Sequence, residues 1–121
     1  MSAPIVINAE ALRAFTARAF ARAGVARDDA AIAADVLVAA DLRGVESHGV
    51  ARLHHYVAHL RQHLVACQTR LRVVRELPAA LTIDAGNGVG MVAAHRAMQA
   101  LPHDMMGVAM CNASPTVVPF G

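Results

Sequence analysis

The chain has 121 residues, 56% hydrophobic and 17% charged, a balance that excludes a disordered chain and a coiled coil and allows one ordinary core. Its formal net charge is +2, and the 11 basic residues, all arginine, are scattered instead of gathered beside aromatics, which argues against nucleic-acid binding. Cys67 and Cys111 show no CxxC or framework spacing, and no apolar run nears the roughly 20 residues of a membrane helix, so two reduced thiols in a cytoplasmic protein are expected.

With aromatics at only 3%, few side chains are bulky enough to anchor a core alone, so it must be broad and shallow or shared with a partner. The first half reads as helical. Asn8 is placed to cap a helix from about Ala9 to Ala23, with Glu10 near its positive end and Gly24 as its stop. Leu12, Phe15, Ala19 and Phe20 form its inward face. Asp28 is expected to cap a second helix to about Leu42, with Ile32, Val36 and Ala39 inward and Gly44 closing it. A third helix is expected from about Val50 to Leu64, where Leu53, Tyr56, Val57, Leu60 and Leu64 recur at three and four residues.

After Gln68 the pattern changes. LRVVREL (71 to 77) and AALTIDA (79 to 85), separated by Pro78, read as two strands. Gly86, Gly88 and Gly90 lead into a short helix, VAAHRAMQA, ended by Pro102. MMGVAMCNA (105 to 113) reads as a buried strand holding Cys111 as an inert thiol, and SPTVVPFG reads as a loop.

Three groups carry possible chemistry. In DLRGVESHGVARL (41 to 53), Ser47 is placed to cap the third helix, a structural role that leaves His48 and Arg52 without one. These two stand four residues apart at a helix start, where amide dipoles favour anions, so a carboxylate or phosphate held by Arg52 with His48 as hydrogen-bond partner is the functional alternative. His55, His59 and His63 form a four-residue stripe, but without a nearby Glu or Cys in the HExxH manner they are read as solvated or interface residues, not a metal site; His54 is unassigned. GNGVG (86 to 90) has GxGxG spacing, not the GxGxxG of a dinucleotide fingerprint, and is read as a strand-to-helix turn with Asp84 as a turn residue.

DLRGVESHGVARLHHY, LTIDAGNGVGMVAAHRAM and GVAMCNASPTVVPFG together resemble the malate/L-lactate/ureidoglycolate dehydrogenase family, the NAD(P)-dependent oxidoreductases whose nucleotide fold is not of the Rossmann type. The ASPTVVPFG segment is most similar to the ureidoglycolate dehydrogenase branch, and the resemblance covers residues 9 to 100 and 107 to 121. It implies an α/β fold, with a three-helix subdomain over residues 1 to 66 and an incomplete mixed-sheet cofactor-binding portion over 67 to 121. It implies a homodimer that passes hydride between NAD or NADP and the C2 position of a 2-hydroxy or 2-oxo acid or a related cyclic imine. His48 and Arg52 would be catalytic, and Ser47, Asn112 and Ser114 would border the cofactor.

The chain departs from the family pattern in three places. A segment carrying the family's proton-transferring HxG histidine is missing between HRAMQA and GVAMC, and His103 does not match that motif. A serine that contacts cofactor in the ureidoglycolate branch falls at Ala113, one place before Ser114. The family sequence beyond PFG is missing as well. The expectation is therefore an amino-terminal fragment with an internal deletion and impaired hydride transfer. The alternatives are a non-enzymatic helical oligomerisation module or a truncated gene product.

Overall fold

Asn8 opens α1 (Ala9–Arg22) in a computed structural model that describes residues 5–78 and 80–99. Its side chain accepts a hydrogen bond from the Ala11 amide at 3.1 Å, and Gly24, at φ +100°, turns the chain at the far end. Thr16 and Phe20 are the buried residues of this helix, and Thr16 returns its hydroxyl to the Leu12 carbonyl at 2.8 Å. Phe15, expected inward, is 54% exposed. The buried face is thus rotated by about one residue, because it is set by where the neighbouring helices approach and not by the largest apolar side chain.

The second helix, α2 (Arg27–Leu42), begins one residue before Asp28, after Ala26, and has no side-chain cap. Asp28 and Asp29 instead occupy its first turn, where the helix dipole favours carboxylates. Its buried face is Ala30, Ala33, Ala34, Leu37 and Val38, whereas Val36 is turned outward. Small residues at the contact let α1 and α2 approach closely, which is how a chain with so few aromatics closes a core. Phe20 is its largest member, and its ring lies 6.2 Å from that of Tyr56 at a 45° tilt.

After α2 the chain turns at Gly44 (φ +75°) and runs through two short 3-10 turns, Glu46–His48 and Val50–Arg52, into α3 (Leu53–Arg61). Leu53 and Leu60 point into the core. The helix ends before His63, which takes a left-handed φ of 57°, so Leu64 lies beyond it and is exposed. For the same reason the histidine stripe is reduced to His55 and His59.

The strands β1 (Arg72–Leu77) and β2 (Ala80–Asp84) pair antiparallel, with an irregularity in register between Val73 and Arg75. Alternation along β2 leaves Leu81 and Ile83 half-buried and Thr82 and Asp84 exposed. This pair is all the sheet there is among the described residues, so the mixed sheet expected from the resemblance is represented there only by an antiparallel hairpin. The last described element, α4 (Gly90–Gln99), buries Val92 against α2. Arg96 of α4 forms an ion pair with the buried Asp29 of α2, joining the glycine-rich segment to the helical half. The strand expected over 105 to 113, the loop after it, the stop at Pro102 and the buried setting of Cys111 lie outside the described residues.

Candidate active site

The turn between α2 and α3 presents Ser47, His48 and Arg52 together on the surface. Ser47 Oγ lies 2.9 Å from His48 Nδ1, and Arg52 Nε donates to the Ser47 carbonyl. When Ser47 donates to Nδ1, the imidazole proton resides on Nε2, which is then a donor. Among the described residues the two Nη atoms of Arg52 meet no acceptor, so the fork of the guanidinium is available to a carboxylate. The three residues singled out from the sequence are therefore adjacent. Asn112 and Ser114, the other two, lie outside the described residues.

Ser47 does not cap the following helix. The first amide of the 3-10 turn that leads into α3, Val50 N, donates instead to Asp41 Oδ2 at 2.9 Å. The same carboxylate stands against Gly49 so closely that a Cβ there would fall 1.7 Å from Asp41 Oδ1. Asp41 was missed in the sequence because its partners lie eight and nine residues away, beyond any capping pattern. One signal was present: an acidic residue in the last turn of α2, where the helix dipole disfavours it, calls for a partner elsewhere.

The glycine-rich turn is held largely by its own hydrogen bonds. The Gly86 amide donates to Asp84 Oδ1 at 2.9 Å, that of Gly88 to the Ala85 carbonyl at 3.1 Å, and that of Val89 to Thr69 Oγ1 at 3.2 Å. Three amides of the turn are thus already used, and Asn87 (φ 57°) ties the turn to the Leu64 carbonyl and the Ala66 amide. The Gly86 amide and the Arg72 guanidinium, 3.1 Å away, hold the Asp84 carboxyl below the ordinary carboxylate range, in keeping with the turn role read from the sequence. A Cβ at Gly88 would lie 2.7 Å from the Thr69 Cα. Gly88→Ala is accordingly expected to destabilise the fold by about 1–3 kcal/mol, measured by urea denaturation, since backbone must move to admit the methyl.

Histidines 54, 55, 59 and 63 are exposed, and no group of three or more possible metal ligands occurs among the described residues. His54 has its Nδ1 2.9 Å from the Ala51 carbonyl and its ring 3.8 Å from that of His55, an arrangement confined to the surface of α3. Cys67 is a free thiol, directed at the Ala23 carbonyl beneath Gly24. No helix among the described residues is long and apolar enough to cross a membrane.

The malate dehydrogenase of Pyrococcus horikoshii is 43% identical over 95 residues, covering 78% of this chain and 26% of that relative. Its solved structure superposes with a TM-score of 0.76, over 78% of this chain and 27% of that one. The structure of sulfolactate dehydrogenase from Methanocaldococcus jannaschii superposes with a TM-score of 0.74 at 33% identity, over 78% of this chain and 28% of that one. The ureidoglycolate dehydrogenase (NAD(+)) of Escherichia coli is 28% identical over 146 aligned positions, covering 95% of this chain and 42% of the relative. Because 95% of 121 residues is about 115, about 31 of those positions face no residue of this chain. The chain thus spans about a quarter of the malate dehydrogenase and two fifths of the ureidoglycolate dehydrogenase. The malate/L-lactate dehydrogenase family model matches residues 7–103, and the chain belongs to that family of oxidoreductases acting on hydroxy acids.

Proposed function

We propose that the turn over residues 46 to 52 is the acid-binding half of a dehydrogenase active site, in which hydride passes between NAD or NADP and C2 of a 2-hydroxy or 2-oxo acid. The observation that carries this reading is the junction of Ser47, His48 and Arg52 in one exposed turn of a chain from this family. Arg52 would hold the carboxylate through its Nη atoms, and His48 would be its hydrogen-bond partner through Nε2, the proton transfer itself belonging to the HxG histidine. NAD(P) supplies or accepts the hydride when bound. The cofactor is assigned to Ser47, Asn112 and Ser114 on the resemblance alone.

The same reading divides the chain into a helical portion, residues 1 to 66, and a cofactor-binding portion, residues 67 to 121. It takes the assembly as a cytoplasmic homodimer, and exposed apolar side chains such as Ile5, Val6 and Val73 are consistent with a covering partner. It also assigns the roughly 31 unmatched positions to the missing HxG segment. Loss of a positioned proton donor costs about 10²–10⁴-fold in rate. The purified 121-residue chain is therefore expected to oxidise NADH or NADPH with pyruvate or oxaloacetate at least about a hundredfold slower than an intact family member. Turnover at the ordinary enzymatic range of about 1–1000 s⁻¹ would overturn the impaired reading.

A further inference from the structure

The loop between Asp41 and Val50 is closed by one side chain. Asp41 belongs to the last turn of α2, where its own backbone is fixed: the Gly44 amide donates to its carbonyl at 2.9 Å and the Val45 amide to that of Ala40 at 2.9 Å. From this anchored position its carboxylate reaches the next helical segment, accepting the Val50 amide and covering the Cα of Gly49. A negative charge is disfavoured at the end of α2 and favoured at the start of the following helical turn, so the contact moves Asp41 from an unfavourable dipole to a favourable one. Ser47 and His48 lie between the two anchor points, where the His48 amide also donates to the Val45 carbonyl at 3.0 Å and the Gly49 amide to that of Glu46 at 3.1 Å. Arg52 adds the second tie by donating back to the Ser47 carbonyl.

Gly49 and Asp41 are consequently one device. At φ −91° and ψ −155° the backbone of Gly49 is accessible to any residue, so glycine is not needed there for conformation. It is needed because a Cβ would occupy the space of the Asp41 carboxylate. A methyl at position 49 forces that carboxylate to swing away, and swinging away breaks its bond to Val50.

We propose that Asp41 is the positioning residue of this turn: its carboxylate, seated on Gly49 and accepting the Val50 amide, sets where His48 and Arg52 present their donors. The functional part of this proposal rests on the acid-binding reading above.

The test uses the 121-residue chain with Asp41→Ala, Asp41→Asn, Gly49→Ala and the Asp41→Ala/Gly49→Ala double variant. Amide exchange at Val50, the His48 ring resonances and calorimetric affinity for oxamate are read together. Asp41→Ala is expected to lower Val50 protection and oxamate affinity by about tenfold each, the size of one charge-assisted hydrogen bond. Gly49→Ala should do the same. In the double variant the second change should add less than about twofold, because both remove one interaction. Asp41→Asn keeps an acceptor oxygen and should recover most of the loss, which separates positioning from general damage to the fold. Unchanged Val50 exchange and His48 resonances in Asp41→Ala, or additive effects in the double variant, would overturn the proposal. Absence of oxamate binding by the parent chain would contradict the acid-binding reading, and Val50 exchange and the His48 resonances would then decide the Asp41 clamp alone.

Discussion

Arg52→Ala is expected to weaken oxamate binding by about ten- to hundredfold while leaving the thermal midpoint nearly unchanged. Both halves of this expectation follow from where the side chain sits. Arg52 is exposed and, among the described residues, joins the fold by one bond, from Nε to the Ser47 carbonyl, so its removal leaves no cavity. A charge-assisted hydrogen bond to a carboxylate contributes about 1.5–3 kcal/mol, which is the stated range of affinity. Arg52→Lys keeps the charge but not the planar fork, and should fall between the parent and the alanine variant. Isothermal titration at low and moderate salt is the check, since a site built on one guanidinium must also weaken as salt rises.

Phe20→Ala is expected to cost about 3–5 kcal/mol, the largest stability effect of any single change proposed for this chain. Phe20 is fully buried and is the largest side chain of a core otherwise made of alanine, valine and leucine. Its tilted contact with Tyr56 adds a further contribution of about 0.5–1.5 kcal/mol. Domains of this size are stable by only about 5–15 kcal/mol, so the variant should lose a large part of its margin. With a urea dependence of about 1–3 kcal/mol per molar, its denaturation midpoint should fall by roughly 2 M. A midpoint within a few tenths molar of the parent would mean that Phe20 is not the centre of this core.

Local features placed most of the elements from the sequence. Asn8 and Gly24 bracket α1, Gly44 closes α2, Pro78 separates the strands, and the glycine-rich turn precedes α4; each acts through its own backbone or its nearest neighbours. What was misplaced depends on distant partners. Phe15 and Thr16 exchange places because α2 and α3 decide which side of α1 is covered. The third helix begins as 3-10 turns and ends at Arg61, and neither limit is marked by a proline or glycine within it. Asp28 yields the start of α2 to Ala26, while the neighbouring Asp29 is fixed by Arg96 from the other end of the chain.

The candidate site divides in the same way. Ser47, His48 and Arg52 stand within six residues, so the sequence could bring them together. Their support from Asp41 was hidden, and Ser47 was assigned a capping role that Asp41 fills. The packing of Thr69 against Gly88 and Val89 also could not be read locally, because it comes from 19 and 20 residues away.

The central claim is that this turn keeps the acid-binding half of the family's active site. The most direct measurement is the amide and arginine side-chain NMR spectrum of the 121-residue chain during titration with oxamate. The account predicts saturable shifts centred on Ser47, His48 and Arg52, with the glycine-rich turn at residues 86 to 90 unaffected. Shifts absent from residues 46 to 52, or centred on the glycine-rich turn, would contradict it.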